Sequence, residues 1–132
     1  MTIDPPPSLQ RPFYQLLGIT SLGIENGRAV MVMAESPMVS NSRGEVHGGA
    51  TFSLLDAACA HAARAAAPVG QSAATINLTI TYMAPGRGKL TARGLVLRAG
   101  KTVVAVEAEA TDEQGQMVAK AFGTMRVFTP RS

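Results

Sequence analysis

Residues 48–67 are rich in Ala and Leu, and Asp56 and Arg64 are their only charged side chains. Such a composition favours helix, and Pro68 and Gly70 stop it. A helix apolar on most of its faces has to be buried on most of its faces. The natural cover is a sheet that wraps around it, and the many alanines let that sheet come close.

The remainder of the chain supplies the strands. Residues 19–24 and 28–34 read as a hairpin turning at Glu25-Asn26-Gly27, since Asn-Gly is a strong short-range hairpin signal. Residues 37–47 are a loop with Asn41, Ser42 and Gly44 as turn formers. Residues 74–83 alternate, with Thr75, Asn77, Thr79 and Thr81 on one face and Ile76, Leu78, Ile80 and Tyr82 on the other. Three more strands follow at 89–97, 102–111 and 116–128, separated by Gly-containing turns. A short helix at 12–17 packs Phe13, Leu16 and Leu17. The expected architecture is α+β, one long helix on a curved antiparallel sheet of five to six strands. Residues 1–12, with the Pro5-Pro6-Pro7 run, read as an extended leader, and 13–132 as one domain.

Composition narrows the function. Apolar residues make up 46% and charged residues 16%, which suits a folded domain. There is no Trp, with two Tyr and four Phe, so a base-stacking platform is poorly supplied. The net charge of +3 comes without a Lys/Arg run; it disfavours nucleic acid as a partner and weakly suits an anionic small ligand. A single cysteine, Cys59, excludes an intrachain disulfide and fits a reducing, cytoplasmic setting. No apolar run reaches the ~18 residues of a membrane span. His47 and His61 are the only histidines and have no acidic or Cys cluster at ligand spacing, so no metal site is expected.

The chemistry concentrates at the start of the long helix, where Asn41-Ser-Arg-Gly-Glu-Val-His47-Gly48-Gly49 runs into the apolar stretch and Asp56 follows. A helix start offers unpaired N–H groups and the positive end of the macrodipole. Glycine there lets a ligand approach the backbone. These parts can polarise a carbonyl, and Asp56 can drive water or its own oxygen onto it. A buried structural role is the plainer reading of Asp56. His47 is open between a cap and a donor to the carbonyl. Cys59, three residues after Asp56, reads as core or pocket lining, because a nearby carboxylate suppresses its thiolate. Ser53 has no histidine placed to activate it.

Spacing adds a requirement. Eight helical residues separate Gly48 from Asp56, a rise of about 12 Å, of which side-chain tilt recovers about 3 Å. A base and an oxyanion donor must each lie about 3 Å from the reacting group. One chain can hardly place both on one ester. Two antiparallel helices across a two-fold axis can, with Gly48 of one protomer facing Asp56 of its partner, twice per dimer. A homodimer with shared sites is therefore expected; a tetramer built from two such dimers is compatible with it.

Across residues 18–126 the chain resembles the PaaI-like branch of the hotdog-fold thioesterases. The resemblance rests on Asn41 through His47-Gly48-Gly49, on Leu54-Leu55-Asp56, on Thr79-Ile80-Thr81-Tyr82-Met83-Ala84-Pro85, and on Gly100-Lys101 and the Gly115 turn. It implies the hotdog fold and cleavage of acyl-coenzyme A to free acid and coenzyme A, with no cofactor beyond the coenzyme A of the substrate. It also implies that the Gly48 amide holds the thioester carbonyl, Asp56 acts as base or nucleophile, Asn41 touches carbonyl or water, and Thr75 helps hold the water. Gly49 and Met83 are substrate-pocket candidates, and Arg98, Lys101 and Arg126 candidates for the coenzyme A phosphates. A thioester suits a site with one carboxylate, because its thiolate leaves with little protonation. A hydratase would need differently spaced acid and histidine. A non-catalytic acyl-CoA binding or sensing module is the remaining alternative.

Overall fold

The computed structural model describes residues 11–131. Residues 1–10 of the expected leader lie outside the described residues. The short helix expected at 12–17 is present, with Pro12 in its first turn, where its fixed φ and missing N–H are suited.

The chain runs α1 (Pro12–Leu17), β1 (Ile19–Glu25), β2 (Arg28–Met33), a 3-10 turn (Pro37–Val39), α2 (Gly48–Ala66), β3 (Ser72–Tyr82), β4 (Leu90–Ala99), β5 (Val103–Thr111) and β6 (Met117–Phe128). The β1–β2 hairpin turns on Asn26 and Gly27, both at positive φ (52° and 75°), as a two-residue turn requires. The six strands form one sheet in the order β1-β2-β4-β5-β6-β3 with every pair antiparallel.

α2 packs against β2 through β6, so the sheet folds around it as its composition demands. Leu54, Leu55, Ala57, Ala58, Cys59 and Ala63 of the helix are fully covered by Met31, Met33, Leu90, Val106 and Met125 among others. One stripe of α2 stays open: Gly49, Phe52, Ser53, Asp56, Ala60 and Arg64 are at least partly exposed. β3 lies at the edge of the sheet beside that stripe.

The alternation expected for β3 breaks at one place. Thr75 pairs with Met125 and Asn77 with Thr124, which leaves Ile76 as an extra residue in a β-bulge. A bulge shifts the side-chain phase by one. Thr75 therefore leaves the face of Asn77, Thr79 and Thr81 and joins the face that carries Tyr82, toward the helix. That corrects the simple reading of the strand.

Candidate active site

His47 caps α2, its Nδ1 accepting from the Gly49 N–H at 2.8 Å. The Ala50 and Thr51 amides donate to the His47 carbonyl at 2.9 and 3.1 Å. Of the four N–H groups that a helix start leaves over, only that of Gly48 has no acceptor among the described residues. Because His47 Nδ1 accepts, a neutral ring carries its proton on Nε2, which makes the exposed edge a donor. The capping reading of His47 therefore holds, and the same geometry leaves its other nitrogen as a proton donor at the exposed edge.

The Asp56 carboxylate sits on the open stripe of α2. Thr75 Oγ1 donates to its Oδ1 at 2.6 Å, the contact that the Ile76 bulge makes possible. The Thr75 hydroxyl also lies 3.4 Å from Met125 Sδ, but its single proton is spent on the carboxylate. A groove of about 230 Å³ runs from Asp56 along α2, lined by Arg11, Tyr14, Ala60, His61, Arg64, Ala73, Ala74 and Thr75. Burial and then the Asp56 charge push the Tyr14 phenol up. His61 donates from Nδ1 to the Ala57 carbonyl at 2.9 Å when neutral, and burial holds its pKa below the usual histidine value.

The first half of the site lies at the far end of β3. Tyr82 Oη donates to the Gly48 carbonyl at 2.6 Å. Gly48 and Asp56 are thus each tied to β3, one through Tyr82 and the other through Thr75, and the straight helix between them keeps them about 12 Å apart.

The remaining expected residues are dispersed. Asn41 Oδ1 accepts from the Arg43 and Glu45 amides at 2.9 and 3.1 Å, which folds the loop leading into His47. Asn41 lines a separate groove with Glu35, Ser36, Pro37 and Ser40. Met83 lies beside Thr79, Thr81, Glu107, Lys120 and Phe122, away from the Asp56 groove. Arg98, Lys101 and Arg126 are all exposed; the Arg126 guanidinium lies 5.7 Å from the Phe128 ring centre. Sequence reasoning missed Tyr14, His61 and Arg64 as groove walls, although Asp56, Ala60 and Arg64 recur at the four-residue spacing of one helix face. It also missed Tyr82 as a partner of Gly48.

Cys59 is fully buried, and its thiol is pushed up to about 12 by burial first and by Asp56 and Glu107 after it. It should therefore resist a thiol-reactive dye in the native protein and titrate as one equivalent after denaturation. Rapid labelling of native protein would contradict this packing.

The thioesterase superfamily profile matches residues 43–119, from the loop before His47 to β6. The acyl-coenzyme A thioesterase PaaI of Escherichia coli is 32% identical over 78% of this chain and 73% of that protein. A candidate esterase of Halobacterium salinarum is 40% identical over 64% of this chain, a match spanning 62% of that relative and so less than two thirds of its length. Among solved structures, a Bacillus halodurans protein crystallised with CoA shares 36% identity at a TM-score of 0.83, covering 90% of this chain and 80% of that one. The chain belongs to the thioesterase superfamily, in its PaaI-like hotdog branch.

Proposed function

We propose that this protein hydrolyses acyl-coenzyme A thioesters to the free acid and coenzyme A, working as a homodimer whose two sites are each shared between protomers. The observation that carries this reading is the division of labour along α2. A backbone donor without an acceptor among the described residues stands at Gly48, and a carboxylate oriented by Thr75 stands at Asp56. In the proposed site the Gly48 amide, with His47 Nε2–H, takes the developing oxyanion of the thioester, and Asn41 reaches the carbonyl or water from the loop before the helix. Asp56 of the facing protomer activates water or attacks the carbonyl itself. The thiolate then leaves without needing an acid. The neighbour crystallised with CoA supports coenzyme A as the leaving part. Gly49 and Met83 are proposed to meet the rest of the substrate, and Arg98, Lys101 and Arg126 the phosphates.

Two features favour the dimer. The site is divided along one rigid helix, and β3 is an open edge strand whose unpaired backbone groups can be satisfied by a second copy. Two such dimers back to back would make a tetramer.

A complementation experiment tests the shared site. Gly48 is the first residue of α2, where proline is well tolerated, so Gly48→Pro deletes the N–H and leaves the helix. Gly48→Pro and Asp56→Ala are each expected to be inactive with acyl-CoA and a thiol-reactive dye. Coexpressed, they should recover about a quarter of the parent activity, because half the dimers are mixed and one of their two sites is intact. No recovery would place both groups of each site in one chain. Ligand binding by the parent without thiol release would favour a binding module.

A further inference from the structure

Tyr82 does something that neither the hydrolytic reading nor the spacing of the motif assigns. It ends β3, and the following amides of Met83 and Ala84 donate to the Val118 carbonyl at 2.7 and 3.2 Å, which fixes the strand end beneath the start of α2. From there its hydroxyl donates 2.6 Å to the Gly48 carbonyl. That carbonyl belongs to the same peptide group as the Gly49 N–H, which donates 2.8 Å to His47 Nδ1. The three contacts form one chain: phenol to carbonyl, across the amide, to imidazole. A donor on the carbonyl side of an amide polarises its N–H, so successive hydrogen bonds strengthen one another.

We propose that Tyr82 is a positioning residue that sets both donors at the helix start. It anchors the Gly48–Gly49 peptide, which adjoins the His47–Gly48 peptide that carries the Gly48 N–H, and so limits the directions that N–H can take. Through the polarised Gly49 N–H it also holds His47 Nδ1 as the acceptor, which leaves the proton on Nε2 facing outward. The ring itself packs against Gly48 at ordinary contact: a Cβ built on Gly48 would sit 3.5 to 3.7 Å from the nearest phenol atoms. The hydroxyl can therefore be removed while the ring stays. Solvent withdrawal raises the Tyr82 pKa, so the phenol remains a donor across the neutral range. This proposal rests on the hydrolytic reading for its kinetic consequence only.

The test is Tyr82→Phe, with 4-fluorophenylalanine at position 82 as a second shape-matched ring without a donor, and 3-fluorotyrosine there as the rescue. The donor-less rings are expected to lower kcat about tenfold at unchanged KM, the size of one lost backbone hydrogen bond, with dimer mass and circular dichroism as in the parent. The 3-fluorotyrosine protein should keep the parent kcat. The ring nitrogen resonances of His47, read without substrate by 15N NMR, should move toward mixed tautomers in both donor-less proteins. A kcat within twofold of the parent, a KM that rises in step, or unmoved His47 resonances would overturn the proposal. Absence of thiol release by the parent from every acyl-CoA would instead defeat the hydrolytic reading, while the NMR comparison still decides the role of Tyr82.

Discussion

Asp56→Ala is expected to lower kcat for acyl-CoA hydrolysis by about a thousandfold, while melting temperature and solution mass stay close to the parent's. General bases contribute about 10² to 10⁴ in rate, and a site with one carboxylate has no second group to take over. Among the described residues the groove holds no other acid. Its remaining ionisable walls are Tyr14, His61, Arg11 and Arg64; His61 gives its Nδ1–H to the Ala57 carbonyl, and its basic nitrogen, Nε2, is buried out of reach of a substrate water. The fold should tolerate the change because Asp56 lies on the open stripe of α2, and the only described hydrogen bond lost is the one from Thr75, which can turn to water. Steady-state thiol release on a panel of acyl-CoAs gives the measurement. A residual rate within tenfold of the parent would mean that Asp56 merely stabilises β3 against α2, the plain structural role. Asp56→Asn sharpens the comparison: it can keep a hydrogen bond with Thr75 but has no basic oxygen, so it should be as inactive as alanine.

Much of this arrangement is legible in the chain before folding. The near absence of charge in α2 dictates burial on several sides, and Asn26-Gly27 specifies a hairpin whose turn has the expected positive φ values. The separation of Gly48 from Asp56 follows from helix rise alone. Other features depend on contacts between distant segments. The bulge at Ile76 is invisible in a stretch whose apolar and polar residues alternate without a break, because the phase shift is imposed by pairing with β6. Its consequence falls at the candidate site: Thr75 and Tyr82 are an odd number of residues apart, yet both reach the helix. The placement of β3 beside β6, at the far edge from the hairpin, has no local signal either. Tyr14 joins the groove only because α1 returns to the helix stripe, a contact that spans most of the site in sequence.

Gly94→Ala is expected to destabilise the fold by about 3 kcal/mol or more, the upper range for overpacking, and so to lower the melting temperature by roughly 10 °C. Gly94 lies in the middle of β4, where α2 crosses the sheet. A Cβ there would overlap the Ala58 carbonyl oxygen and sit 2.6 Å from its carbon and 3.1 Å from the Cys59 nitrogen. Those are backbone atoms of a rigid helix, so no rotamer change relieves the clash; α2 has to lift from the sheet as a body. Lifting it loosens the packing of Leu54 and Leu55, both fully buried. The alanines of α2 serve the same close approach from the other side. Gly123 presents the parallel case on β6, since a Cβ there would overlap the Asn77 carbonyl oxygen and lie 2.9 Å from Leu78 Cα. It faces the strand just past the Ile76 bulge, so Gly123→Ala should also pull Thr75 from Asp56 and reduce turnover more than its stability loss explains. Gly48→Ala supplies the contrast, because its Cβ meets only ordinary contacts of 3.5 Å and beyond and the fold should stay near parent stability. Thermal and urea unfolding of the three variants gives the order. A Gly94→Ala protein as stable as Gly48→Ala would mean that α2 rides further from the sheet than its alanines allow.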